Sequence, residues 1–234
     1  MRRVVNAHPS IACPPETFYM NYFAKMIDDS EVRAGLFGVG CDDEKIDLEV
    51  GKWASRYHEA FRSLSNKPRW ADKTPQYTSI LPQLNRMYRD VQFIFIYRHP
   101  LDVLYSQYKR GWKFGEYSED LLENNAIYIA ESIKKMAEFK LRFPDRVHEV
   151  FYEQLVERPE EVLRGMFGFL GEPWCEEVLE YHKKDHGFGT EDPVVKGMKG
   201  FIKNHDNWIV FSEHQKKIAV SYLSDAMSML GYKY

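Results

Sequence analysis

The apolar positions of this chain form two patterns, short continuous runs and stripes with a helical period. The clearest run extends from Gln92 to Tyr97 and is almost wholly apolar, with charged residues on either side. Such a run is typical of a strand buried on both faces of a parallel sheet. Pro100 suits the first turn of a helix, and Asp102 near that turn complements the helix dipole. The pattern therefore predicts a buried strand that ends at Arg98 and is followed directly by a helix.

A second strand is predicted just upstream of this one. It ends at Lys73, because Thr74 and Pro75 restart the chain as a helix that continues through Tyr88. The order of elements is then strand, helix, strand. A right-handed crossover connection would place Lys73 and Arg98 at the same edge of one parallel sheet.

Helical stripes account for most of the remaining chain. Val50, Trp53, Tyr57, Phe61 and Leu64 recur at spacings of three and four, and this aromatic stripe is expected to face the core. The other predicted elements are helices over 17–28, 118–137, 159–171, 173–183 and 212–230, a strand over 147–152, and loops over 31–43, 109–117 and 186–207.

The loop over 109–117, KRGWKFGEY, is both aromatic and basic. One interpretation is that it lines a site for a phenol, a sugar or a lipid. The other is that it is a surface loop packed on the domain. The sequence does not decide between them, and it does not indicate the oligomeric state.

Charge is nearly balanced along the chain, with 32 lysines and arginines, 35 aspartates and glutamates, and a formal net charge of −3. No global field attracts nucleic acid or a membrane, so any anion site must be local. The cysteines are three in number and widely spaced, which argues against a disulfide framework and against zinc ligation. No apolar run approaches the roughly 20 residues of a membrane-spanning helix. We therefore expect one soluble, cytoplasmic α/β domain over residues 1–234.

A local anion site is predicted where the strand before Arg98 gives way to the helix. Ligands bind at the carboxyl ends of strands in open α/β sheets. Arg98, the helix N-terminus and the hydroxyl of Ser106 together offer charge and hydrogen-bond donors to an anion. The alternative is that Arg98 only pairs with Asp102 and that Ser106 is an ordinary helix serine.

Four stretches, taken in order, resemble one enzyme family. They are HPSIACPPET (8–17), ADKTPQYTSILPQL (71–84), RHPLDVLYSQY (98–108) and FYEQLVERPEEVLRGMFGFLGEPW (151–174). They resemble sulfotransferases that use 3′-phosphoadenosine 5′-phosphosulfate (PAPS), in particular the bacterial branch similar to tyrosylprotein and carbohydrate sulfotransferases. The resemblance implies a three-layer, P-loop-NTPase-like α/β fold with a central parallel sheet flanked by helices.

The resemblance implies a nucleotide site built from several segments. Arg98 and Ser106 match the motif that binds the 3′-phosphate, and Tyr152 matches an aromatic residue that flanks the nucleotide. A basic loop that closes over the 3′-phosphate in some branches corresponds to Lys196, Gly197 and Lys199. The alternatives are that Tyr152 belongs to the core and that the basic loop is simply solvated.

The catalytic residues implied by the resemblance are Glu16 and Lys73. Glu16 matches the base that takes the proton of the acceptor hydroxyl, and Lys73 matches the lysine that stabilises charge on the leaving group. The alternatives are a carboxylate at a helix N-terminus and an ordinary surface lysine.

The implied reaction transfers a sulfuryl group from PAPS to the hydroxyl of a small molecule, carbohydrate, lipid or tyrosine, by direct in-line attack. It leaves PAP as a product and requires no metal. The family's glycine-rich loop for the 5′-phosphosulfate should lie just upstream of Met1 and is not in this sequence. The chain would then begin at an internal methionine or be a short variant. The alternative function is an inactive remnant that binds PAP weakly or acts as an interaction partner.

Overall fold

Two units make up the part of the chain that the structure describes. The computed structural model describes residues 1–184, 186, 197, 199–203 and 205–234. One unit comprises Met1–Gln92 with Leu163–Ile202, and the other comprises Phe93–Val162 with Lys203–Tyr234. We call them unit 1 and unit 2.

Unit 1 contains a short pair of parallel strands surrounded by helices. Strand β1 (Ile11–Ala12) pairs with β2 (Arg69–Trp70). The helices before and after them in the chain are α1 (Arg2–Ala7), α2 (Met20–Asp28), α3 (Ser30–Gly38), α4 (Asp43–Leu64) and α5 (Leu81–Met87), with 3₁₀ turns at Pro75–Ile80, Glu176–Val178 and Tyr181–Lys183.

Unit 2 contains a longer pair of parallel strands. Strand β3 (Phe93–Tyr97) pairs with β4 (Val147–Phe151) over all five residues, with Phe93 opposite Val147 and Tyr97 opposite Phe151. Its helices are α6 (Pro100–Lys109), α7 (Leu121–Arg142), α8 (Tyr152–Glu157) and α10 (Glu213–Leu230). The boundary between the units falls inside a further helix, α9 (Pro159–Phe169). In unit 2, 3₁₀ turns lie at Pro144–Arg146 and Asn207–Val210.

Most of the predicted elements are confirmed. The helices expected over 17–28, 118–137, 159–171 and 212–230 are α2, α7, α9 and α10, and the strands expected before Arg98 and over 147–152 are β3 and β4. Among the described residues, no helix has both the length and the apolar content needed to cross a membrane.

Two predictions of local structure are wrong. Residues 31–43 are not a loop, since α3 occupies most of that segment. The carboxylate of Asp29 accepts hydrogen bonds from the backbone N–H groups of Glu31 and Val32, each at 3.0 Å, and so caps this helix. The segment after Pro173 forms two short 3₁₀ turns instead of one helix.

The orientation predicted for α4 is also wrong. Val50 is buried, but Trp53, Tyr57 and Leu64 are 53%, 67% and 81% exposed. The buried face carries small and polar residues instead, including Gly51, Ala54 and His58. A Cβ atom at Gly51 would overlap the backbone carbonyl of Met87 in α5. Helices α4 and α5 therefore pack too closely on this face for the rings of Trp53 and Tyr57 to fit between them.

Strand β3 is buried on one face, not on both as expected. Phe93, Phe95 and Tyr97 are buried, whereas Ile96 is 40% exposed. The rings of Phe93 and Phe95 pack on Phe139 of α7, with centroids 4.8 and 6.1 Å apart.

The single parallel sheet expected to carry Lys73 and Arg98 at one edge is not found among the described strand pairs. Strand β2 pairs with β1, and β3 pairs with β4. Strand β2 is only two residues long. Arg69 in β2 reaches Gln92, the residue before β3, through its side chain, since Nη2 donates to Oε1 at 2.5 Å.

Candidate functional site

The two predicted catalytic residues lie together in unit 1. Glu16 follows the carboxyl end of β1, and Lys73 follows the carboxyl end of β2. The two strands run parallel, and the pairing continues beyond them because Ala71 N–H donates to the Ala12 carbonyl at 2.9 Å. Lys73 Nζ forms an ion pair with Glu16 Oε1, and both side chains remain about a third exposed, at 38% and 34%.

This pair combines two chemical capacities at one place. A partly exposed carboxylate can accept a proton, and the neighbouring ammonium can stabilise a developing negative charge. Helix α2 begins only at Met20, so Glu16 precedes that helix and is not a carboxylate of its first turn. Lys73 is paired with Glu16, but exposed lysines elsewhere in the chain, such as Lys52, are paired with glutamates too, so its catalytic role stays a prediction.

The predicted 3′-phosphate residues lie in unit 2, where β3 and β4 end. Arg98 is the first residue after β3, and Tyr152 is the first residue after β4. The Arg98 guanidinium lies over the Tyr152 ring, 4.9 Å from its centroid, so Tyr152 supports the arginine directly. The parallel register of the two strands places these two side chains next to each other.

Asp102 has a role that the sequence did not reveal. Its carboxylate is fully buried and accepts hydrogen bonds from the backbone N–H groups of Asp206, at 3.0 Å, and Asn207, at 2.8 Å. Arg98 Nη2 lies 3.6 Å from Asp102 Oδ2. Pairing with Arg98 is thus one of several functions of this carboxylate, which also holds the turn at 206–207.

Arg110 is a further candidate at the anion site. Its Nη1 donates to Ser106 Oγ at 3.0 Å, and its guanidinium lies over the ring of Trp112, 4.7 Å from the centroid. Arg110 follows Ser106 by four residues, a spacing that puts two side chains on one face of a helix. That spacing is the signal by which the sequence alone points to Arg110.

The aromatic and basic loop over 109–117 is held by two fully buried asparagines of α7. Asn124 Oδ1 accepts from the N–H groups of Tyr117 and Ser118, at 2.7 and 3.2 Å, and its Nδ2 donates to the Phe114 carbonyl at 2.9 Å. Asn125 Nδ2 donates to the Trp112 carbonyl at 2.6 Å, and its Oδ1 accepts from Phe114 N–H at 3.2 Å. The loop therefore has a defined conformation in which Trp112 remains 42% exposed.

Glu153 acts as a structural clamp beside Tyr152. Its Oε1 accepts from His99 N–H at 3.0 Å, and its Oε2 accepts from the Tyr232 hydroxyl at 2.6 Å. Burial, followed by the hydrogen bond to Glu153, raises the pKa of Tyr232 far above its usual range. Tyr232 is therefore a neutral donor at any physiological pH.

The basic loop is only partly described. Lys196 lies outside the described residues, while Gly197 and Lys199 are exposed. Their contact with a 3′-phosphate stays a prediction. Within the described residues, no group of three or more His, Cys, Asp or Glu side chains is arranged to hold a metal ion, and a metal-free reaction also stays a prediction.

The family assignment comes from comparison with known proteins. The family model described as "Sulfotransferase family" matches residues 1–176. The chain belongs to the sulfotransferase family. This confirms the resemblance to sulfotransferases seen in the four stretches.

The curated relatives of this sulfotransferase include several protein-tyrosine sulfotransferases. A putative one from Caenorhabditis briggsae is 22% identical over 191 residues, which cover 78% of this chain and 64% of the relative. Protein-tyrosine sulfotransferase 1 from Danio rerio is 26% identical over 196 residues, which cover 78% of this chain and 52% of the relative. The chain thus spans about half to two thirds of the length of these proteins.

Solved sulfotransferase structures share the fold. The sulfotransferase domain from the Synechococcus PCC 7002 olefin synthase has a TM-score of 0.68 at 20% identity and covers 100% of this chain and 90% of that one. The sulfotransferase domain from the curacin biosynthetic pathway has a TM-score of 0.65 at 18% identity, covering 99% and 92%. The predicted P-loop-NTPase-like α/β fold class is confirmed by this likeness.

Proposed function

We propose that this sulfotransferase moves a sulfuryl group from PAPS to the hydroxyl of an acceptor by direct in-line attack. The observation that carries the proposal is the ion pair between Glu16 and Lys73 just after the parallel strands β1 and β2. Family membership gives the reaction class, and the pair supplies the two groups that such a reaction needs.

The proposed step forms one S–O bond and breaks another. The acceptor oxygen attacks sulfur while the bond between sulfur and the bridging oxygen of PAPS breaks. The hydroxyl proton passes to the Glu16 carboxylate. The bonding electrons remain on the 5′-phosphate oxygen of PAP, where the Lys73 ammonium stabilises the charge. The donor therefore competes with Glu16 for Lys73, and donor binding frees the base.

The nucleotide is recognised in this proposal by residues of unit 2. Arg98 presents a planar fork of donors to the 3′-phosphate, and Ser106 and Arg110 add a hydroxyl and a second guanidinium. Tyr152 keeps the Arg98 guanidinium in place by stacking beneath it. Lys196, Gly197 and Lys199 are proposed to close over the same phosphate.

The test is transfer of labelled sulfate from PAPS, with PAP binding measured in parallel by calorimetry. The named activity of the curated relatives makes a tyrosine-containing peptide the first acceptor, followed by a phenol and a sugar. We expect Glu16→Gln to lower kcat roughly 100- to 10,000-fold while PAP binding is kept. The matched control is Glu31→Gln, at an exposed glutamate in α3, and it should change neither.

Three results would contradict the proposal. Transfer that survives Glu16→Gln would remove the base assignment. PAP binding without transfer to any acceptor would favour the inactive remnant, and absence of both would favour an interaction partner.

A further inference from the structure

A hydrogen-bonded network joins the two chain segments that carry Glu16 and Lys73. At its centre is Asp72, whose side chain is only 9% exposed. Asp72 Oδ2 accepts a hydrogen bond from Thr17 Oγ1 at 2.6 Å, and Oδ1 accepts from Thr74 Oγ1 at 2.9 Å. Each acceptor oxygen therefore binds the residue next to one member of the ion pair.

The two threonines also form hydrogen bonds with each other and with Tyr77. Thr17 N–H donates to Thr74 Oγ1 at 3.2 Å, and Thr17 Oγ1 lies 3.1 Å from the Tyr77 hydroxyl. Burial, followed by the charge of Asp72, raises the pKa of Tyr77. The Tyr77 hydroxyl therefore stays protonated and available as a donor.

A buried histidine of α4 packs against this network. His58 is 1% exposed, and its Nε2 lies 3.0 Å from Asp72 Oδ2. Its Nδ1 contacts the hydroxyl of Tyr19, which donates to the Ala54 carbonyl at 2.9 Å. The His58 ring thus packs beside the Asp72 carboxylate, and the hydrogen bonds that hold this carboxylate come from the two threonines.

Backbone pairing between β1 and β2 does little to fix the spacing between Glu16 and Lys73. Strands β1 and β2 are two residues long, and the last backbone bond between them joins Ala71 to Ala12, before either Glu16 or Lys73 is reached. Beyond that point the spacing of the two segments is set by side chains. A displacement of about 1 Å in a reacting group can cost roughly 100-fold in rate.

We propose that Asp72 is a positioning residue, which holds Glu16 and Lys73 in register by bridging Thr17 and Thr74. The proposal rests on the roles proposed for Glu16 and Lys73. Asp72 touches neither reacting atoms nor substrate in this scheme and acts only through its neighbours.

The first test is a double-mutant cycle on sulfate transfer. We expect Asp72→Ala to lower kcat roughly 10- to 100-fold with KM for PAPS within about twofold of wild type. Asp72→Asn keeps one carbonyl acceptor and should recover part of the loss. In the Glu16→Gln background, Asp72→Ala should lower kcat by a clearly smaller factor than in wild type, because part of its effect acts through Glu16 and groups that act as a unit are not additive.

The matched control is Asp47→Ala. Asp47 is a buried carboxylate of α4 in the same unit, paired with Arg33 and Arg86 at 3.1 and 3.0 Å. Its loss should lower the melting temperature without changing kcat of the folded protein. A kcat for Asp72→Ala within twofold of wild type, or a double variant whose loss equals the product of both single losses, would overturn the proposal.

A second measurement does not need activity. The rate at which an amine-reactive reagent acylates Lys73, followed by mass spectrometry, reports how firmly Glu16 holds the ammonium. We expect Asp72→Ala and Asp72→Asn to raise this rate severalfold, as Glu16→Gln does, and Asp47→Ala to leave it unchanged. If the wild-type protein transfers no sulfate, the proposed function fails, but the positioning role can still be tested by acylation. An unchanged acylation rate of Lys73 in both Asp72 variants overturns that role, and a raised rate supports it.

Discussion

Two regions of this sulfotransferase present polar side chains just after a parallel pair of strands, and they hold them by different means. In unit 1 the strands are two residues long, and Asp72 with its threonines sets the spacing of Glu16 and Lys73. In unit 2 the strands pair over five residues, so the backbone itself places Arg98 beside Tyr152. A single substitution can therefore change the spacing of the residues in unit 1, whereas the spacing in unit 2 is set by backbone hydrogen bonds that a side-chain substitution leaves in place.

The largest expected effect is on the rate at which Cys13, at the buried end of β1, is alkylated. Cys13 directly follows this strand, and burial raises the pKa of its thiol to about 12. Since the thiolate is the reactive form, raising the pKa from 9.0 to about 12 lowers its share roughly a thousandfold at neutral pH. Iodoacetamide should therefore alkylate Cys41 and Cys175 of the folded protein well before Cys13. Equal rates in a mass-spectrometric time course would show that this end of unit 1 is open.

In unit 2, the next largest effect is expected on nucleotide affinity. Arg98→Ala should weaken PAP binding by roughly 10- to 100-fold, because hydrogen bonds to charged groups contribute about 1.5–3 kcal/mol. Ser106→Ala should cost less, since it removes one hydroxyl. Isothermal calorimetry measures both, and Arg142→Ala, at an exposed arginine of α7, is the control. An unchanged affinity in Arg98→Ala would end the assignment of the anion site to unit 2.

Loss of the asparagine side chains that hold the loop over 109–117 should have an effect of similar size, on stability. Asn124→Ala leaves the N–H groups of Tyr117 and Ser118 and the carbonyl of Phe114 without this side chain. We expect a loss of about 3 kcal/mol in the free energy of unfolding, measured with urea, and faster proteolysis within the loop. Full stability in this variant would show that the loop is held mainly by packing.

The smallest effect tests the close helix packing of unit 1. Gly51→Ala should destabilise the protein by about 2 kcal/mol, because the new methyl group overlaps the Met87 carbonyl. Gly168→Ala in α9 is the matched control, since its Cβ would meet no atom within 4 Å. That variant should be neutral or up to about 1 kcal/mol more stable. Equal urea midpoints for the two variants would mean that α4 and α5 can separate at low cost.

The sequence predicted what short-range patterns encode. The apolar run before Arg98 was enough to place this residue directly after a strand, whereas the strand predicted to end at Lys73 ends at Trp70, three residues earlier. The resemblance then pointed to Glu16, which the structure brings into contact with Lys73. Their catalytic roles stay a proposal, as does the single domain over residues 1–234.

What the sequence did not predict depends on partners distant in the chain. Asp72 and Asp102 look like ordinary carboxylates until Thr17 and Asp206 are brought to them. The stripe of α4 was misread because aromatic residues at helical spacing normally mark the buried face, whereas the approach of Met87 requires Gly51 there. Such contacts arise from tertiary packing, which local periodicity does not contain.

The stacking of Arg110 on Trp112 also gives the protein an optical signal. The guanidinium that contacts Ser106 lies 4.7 Å from the centre of an indole ring that is 42% exposed. An anion that binds to the Arg110 guanidinium changes the electrostatic field at that ring and hence its emission. Intrinsic fluorescence can therefore follow occupation of the proposed phosphate site in real time, without a label and without any acceptor present.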